Sequence, residues 1–138
     1  MIFLKELVRR TYNDTVNDFE PATGSISIKY PHDPKTGFSN HMQYDTNILM
    51  DTGLSNMIIA VPGQKRQELP AGTQIKVFLP GNHSYSFITG SDSIGSPSRA
   101  TLTGSLNERN NLNTGLHAFQ LFDYLYDADR GILGLRRR

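Results

Sequence analysis

Between Gly24 and Leu106 the chain never keeps one pattern for long. Short runs of β-branched, aromatic and aliphatic residues are cut by Gly- and Pro-containing breaks at intervals of about 8–12 residues. Ser25-Ile26-Ser27-Ile28-Lys29-Tyr30 alternates polar and apolar, the period of a strand with one buried face. Pro31 to Pro34 and Lys35-Thr36-Gly37 end it, because Pro lacks a ladder N–H and Gly supplies positive φ. A second strand is predicted over His41–Thr46, followed by a turn at Asp51-Thr52-Gly53. Asn56–Val61 is a continuous apolar run, as expected of a strand covered on both faces, and Pro62-Gly63 closes it. Gln64–Leu69 is polar and reads as an edge strand or hairpin arm. After the turn Pro70-Ala71-Gly72, Gln74–Leu79 has the strongest strand composition in the chain. Pro80-Gly81-Asn82 stops it, Tyr85–Ile88 resumes, Thr89–Ser98 is a Gly/Ser-rich loop, and Ala100–Leu106 reads as the last strand.

This rhythm predicts an all-β chain, a single antiparallel β-sandwich of jelly-roll-like form with N- and C-terminal extensions. A parallel α/β fold needs helices between its strands, and no helical period of useful length occurs between Gly24 and Leu106. The length, 138 residues, suits one domain with a core of its own. Three parts are expected: residues 1–20 as an N-terminal arm or short helix, 24–106 as the sandwich, and 107–138 as a C-terminal extension. Leu4, Leu7, Val8 and Tyr12 make one helical stripe, so Phe3–Val16 is predicted as a short helix. Leu116–Tyr126 is strongly apolar, and its spacing fits a helix face and a strand alternation equally. The last twelve residues are mostly polar and read as tail rather than core.

Candidate chemistry is sparse. The formal net charge is +1, so no global field favours nucleic acid or a membrane surface. With no Cys there is no disulfide, thiolate zinc site or thiol nucleophile. His32, His41, His83 and His117 have no i, i+4 partner and form no H-E-x-x-H. Asp123, Asp127 and Asp129 are the only acidic cluster, and they read as a solvated face before a basic tail. Gly90–Gly95 has loop composition and no following helix to aim amides at a phosphate. Asn13-Asp14-Thr15 and Asn82-His83-Ser84 match the glycosylation pattern, which arises often by chance. The first ten residues are too interrupted by charge for a secretory leader, and no run approaches the roughly 20 apolar residues of a membrane span. A soluble cytoplasmic product with no enzymatic activity, no cofactor and no metal is therefore expected.

One stretch is more specific. Gly63-Gln64, Leu69-Pro70-Ala71-Gly72-Thr73-Gln74 and Val77-Phe78-Leu79-Pro80-Gly81 follow a strand containing Gln43-Tyr44-Asp45-Thr46-Asn47. The pattern resembles small β-sandwich virion proteins of bacteriophages, namely capsid vertex (penton) proteins and capsid decoration proteins, over about residues 24–106. The chain departs from it in the long Thr89–Arg99 loop and in some thirty further residues after the last predicted strand. The resemblance implies a jelly-roll-like minor capsid protein of the virion, assembled in the host cytoplasm, that forms a homo-oligomer and stabilises a shell of major capsid protein or another virion protein. With a net charge of +1 and only Arg136–Arg138 as a basic run, no specific nucleic acid partner is expected. Partner contacts are then expected from the apolar ends, Phe3, Leu4, Leu7, Phe119, Phe122 and Tyr124, and from Arg136, Arg137 and Arg138. A second expectation is a tail- or fibre-associated binding module for glycan or for an adaptor protein, with Tyr30, Phe38 and Tyr85 near its turns.

Overall fold

The computed structural model describes residues 2–6, 22–127 and 132–138. Eleven strands are present among them: β1 (Ile2–Glu6), β2 (Ala22–Lys29), β3 (His41–Leu49), β4 (Met57–Ala60), β5 (Gln67–Glu68), β6 (Gln74–Leu79), β7 (His83–Ile88), β8 (Ala100–Thr103), β9 (Asn111–Asn113), β10 (Phe122–Asp127) and β11 (Ile132–Arg137). They form an eight-stranded sheet in the order β5-β8-β4-β9-β3-β2-β6-β7 and a three-stranded sheet in the order β1-β11-β10. The fold is all-β and sandwich-like, as the turn rhythm requires. It is not purely antiparallel, however, because β3 pairs β9 in parallel and β4 pairs β8 in parallel. Each parallel pair is joined by a long excursion that contains other strands, which is the connection parallel pairing demands.

The β6–β7 hairpin shows why the strands form where they do. Ile75, Val77 and Leu79 on β6, and Tyr85 and Phe87 on β7, are buried at every second position. The loop Pro80-Gly81-Asn82 holds two successive residues at positive φ, Gly81 at 76° and Asn82 at 62°. Those are the two residue types that tolerate the left-handed region best. On β2, Gly24 lies so close to β6 that a Cβ would collide with the Phe78 carbonyl oxygen and come within 2.5 Å of Ile48 Cδ1. Only a residue without a side chain lets the backbones approach in this way.

One buried cluster joins the two sheets. It includes Ile26, Ile28, Met57, Ile59, Ile75, Val77, Leu102 and Leu112 of the larger sheet, together with Phe122, Leu133 and Leu135 of the smaller one. Phe122 stands edge-on to His83 and Tyr85, with centroids 5.7 and 6.0 Å away.

Five expectations are corrected or narrowed. The N-terminal segment is not helical at its start: residues 2–6 pair with β11 as a strand, Ile2 opposite Leu135 and Glu6 opposite Ile132, while the rest of Phe3–Val16 lies outside the described residues. A short helix is marginal without packing, and a strand partner far along the chain supplies the alternative. Ala100–Leu106 is not the last strand, since β9, β10 and β11 follow. Leu116–Tyr126 is both of its alternatives in turn: Leu116–Gln120 is a 3-10 turn and Phe122–Asp127 is β10. The C-terminal residues are not merely a tail, because β11 is the central strand of its sheet and Leu135 is fully buried. Asn56–Val61 is narrower than read: Met57 and Ile59 are buried, while Ile58 and Ala60 are half-buried.

Candidate interaction surface

The outward face of β3, β2, β6 and β7 is set by the alternation that buries their other face. The register aligns Gln43, Ser27, Lys76 and Ser86 in one row across the four strands, and His41, Lys29, Gln74 and Ile88 in the next. A cleft of about 640 Å³ lies over these rows, and Ser91 and Ser93 of the following loop form one side. Lys29 and Lys76 are diagonal neighbours on adjacent strands, a placement of about 7–8 Å between backbones. Lys76 Nζ sits 4.9 Å from the centre of the Phe78 ring. The His41 ring is held by a 2.7 Å hydrogen bond between Nε2 and the Ser27 hydroxyl. No carboxylate lines the cleft among the described residues.

A second cleft, of about 830 Å³, lies on the other side of the same loop and includes Ile94, His117, Gln120 and Arg138. The loop is pinned rather than free. The Gly95 amide donates to Gln120 Oε1 at 2.9 Å, and the Ser98 hydroxyl donates to Asn56 Oδ1 at 2.8 Å. Gly95 has φ of +85°, and a Cβ there would meet Leu121 Cδ1 at 2.5 Å, so the loop packs tightly on the segment leading into β10.

Large apolar side chains also face solvent. Phe38 is 76% exposed in the β2–β3 connection, Ile94 is 69% exposed in the loop after β7, and Leu106 is fully exposed after β8. They stand on three separate loops and are the most open of the large apolar residues; Leu49, Ile88 and Tyr126 on strands are exposed to a lesser degree. Isolated exposed apolar residues are ordinary; several at loop tips are the observation that bears on partners.

The predicted contact residues divide. Phe3 and Leu4 lie in β1, and Leu7 lies outside the described residues. Phe122 is fully buried inside the chain's own core, which removes it from any surface. Phe119 stands edge-on to Tyr124 at 5.6 Å, both of them half-buried. The arginines are bound within the chain. Arg136 and Arg138 donate to opposite oxygens of Asp123, at 2.6 and 2.7 Å, and Arg137 donates to the Ser84 carbonyl at 2.8 Å while covering the Phe122 ring. Hydrogen bonds from Arg136 and then Arg138 hold the Asp123 carboxyl below the usual carboxylate range. Phe38 is at a loop tip, Tyr30 is half-buried and Tyr85 is buried. Burial pushes the Tyr85 phenol up, and its hydroxyl has no hydrogen-bond partner among the described residues.

The histidines do not converge. His41 faces the first cleft, His117 the second, His83 packs on Phe122, and His32 is exposed in a loop. Among the described residues, no group of three or more His, Asp or Glu is arranged to hold a metal ion, and no helix is long and apolar enough to cross a membrane. Sequence reasoning missed Lys29 and Lys76 as a pair. Their outward positions were legible from alternation, but the register that sets them side by side was not. Comparison with protein-family models, curated proteins and solved structures finds no match to this chain.

Proposed function

We propose that this chain is a non-enzymatic structural protein of a bacteriophage virion, a capsid decoration (cement) or vertex component. In this reading it forms a homo-oligomer and stabilises a shell built of another protein. The observation that carries the reading is the set of the most exposed large apolar side chains, Phe38, Ile94 and Leu106, on three loops of an all-β body that has its own buried core. The sequence pattern of residues 24–106 supports the same reading.

Burying one such side chain against a partner contributes roughly 1.5–3 kcal/mol. Three on separate loops suit contact with a surface that bridges them. The pinned loop after β7 supports this further, because an already ordered loop loses little conformational entropy on docking. The test is the triple variant Phe38→Ser, Ile94→Ser, Leu106→Ser. It is expected to keep its melting temperature, to sediment as a smaller species than the native protein, and to lose co-sedimentation with capsid shells. A native protein that is monomeric and never associates with virion particles would overturn the proposal.

A further inference from the structure

We propose that the cleft over β2, β6 and β7 is a binding site for an acidic saccharide. The charge of its lining motivates this. The chain as a whole is nearly neutral, with 14 Lys and Arg against 13 Asp and Glu. The cleft departs from that balance: Lys29, Lys76 and His41 line it, and no carboxylate does among the described residues. Neither lysine forms an ion pair with a described residue. A site lined by two lysines from adjacent strands, neither ion-paired to a described residue, is complementary to an anion.

The rest of the lining specifies what carries that anion. Ser27, Gln74, Ser86, Ser91 and Ser93 add hydroxyl and amide groups that both donate and accept. A bare inorganic anion uses donors only. A polyhydroxylated ligand uses both, and a volume of about 640 Å³ falls in the range of small-molecule sites. Several of these groups are already fixed. Ser91 is held by bonds to the Ile88 carbonyl and to Ser93, and His41 is held by Ser27. Lys76 extends over Phe78, which keeps its head group on this face while leaving its protons available. The cleft does not involve Phe38, Ile94 or Leu106, so this inference stands apart from the loop-tip reading.

The experiment is an amide NMR titration of the full chain with four probes: tetragalacturonate, a chondroitin sulfate tetrasaccharide, neutral galactotetraose and inorganic sulfate. At least one acidic saccharide is expected to shift the amides of Ser27–Lys29, Gln74–Lys76 and Ser86–Ser93. Galactotetraose should shift none of them, and sulfate should bind at least about tenfold more weakly than the acidic saccharide. The double variant Lys29→Gln, Lys76→Gln, with its well-dispersed spectrum as the check on folding, should weaken saccharide binding by about tenfold or more. The single variants keep the test available if the double variant does not fold. Any of three results overturns the proposal: no shift at these amides with either acidic saccharide, equal binding of galactotetraose or sulfate, or unchanged affinity in the folded lysine variants.

Discussion

The β6–β7 hairpin and the β10–β11 pair are both antiparallel, and both feed side chains into one buried cluster. They are specified in different ways. In β6–β7 the buried residues recur at every second position, and a Gly-Asn turn fixes the reversal. In β10 only Phe122 is buried, Asp123 to Leu125 are half-buried, and Tyr126 is exposed. In β11 Leu133, Gly134 and Leu135 are buried in succession. A strand covered on both faces has little reason to alternate, and the unbroken buried run Leu133–Leu135 marks β11 as such a strand. The first hairpin is held by its local pattern, and the second by what it packs against.

Removing the ring that links the two regions is the strongest test. Phe122→Ala is expected to cost about 3–5 kcal/mol in denaturant unfolding, and both sheets should unfold in one transition. If amide exchange instead shows β10 and β11 opening while β6 and β7 stay protected, the two regions are independent units and the comparison fails. Next in size, Gly24→Ala puts a Cβ against the Phe78 carbonyl and Ile48. A loss of about 3 kcal/mol is expected, with faster exchange concentrated in β2 and β6 rather than in β11.

Smaller effects probe the contact between the regions. Tyr85→Phe removes a buried hydroxyl without a partner among the described residues, so it should be neutral or stabilising by up to about 1 kcal/mol in denaturant titrations. Its pH dependence has a definite sign. Burial raises the phenol's folded pKa above its unfolded value, so the stabilisation is complete below an unfolded pKa of about 10 and is lost as pH rises through the folded value. The native protein should lose stability above that pH by a term that Tyr85→Phe lacks. The smallest effect concerns Asp123. Its folded pKa is lowered, so its contribution is complete above an unfolded value of about 4 and is lost as pH falls through the folded one. Asp123→Asn should speed amide exchange in β11 near neutral pH, and the difference from the native chain should vanish in strong acid. The pair is solvent-exposed, which keeps the effect small.

Legibility in the sequence followed how local each signal was. The strands of residues 24–88 were readable because Ile26 and Ile28, or Ile75 and Val77, alternate within a few residues of turn-forming Gly and Pro. Leu116–Tyr126 showed two periods because it adopts two structures, one after the other. The strand at Ile2–Glu6 is not legible because its partner is β11, more than a hundred residues away, and no local pattern records that pairing. The candidate cleft was half legible. Lys29 and Lys76 could be placed on outward faces, but their adjacency depends on Ser27 standing opposite Lys76.

By itself, then, the sequence determined that this protein is built of short strands, where most of them turn, and which side of each is apolar. Those properties rest on backbone φ preferences and on side-chain alternation within single segments. Only the tertiary structure decided that the C-terminal residues complete the core, that two strand pairs run parallel, and that two lysines 47 positions apart share one cleft. These are matters of register and long-range pairing. A one-residue slip in pairing would reverse every face it touches, and what prevents the slip is the packing of the whole molecule.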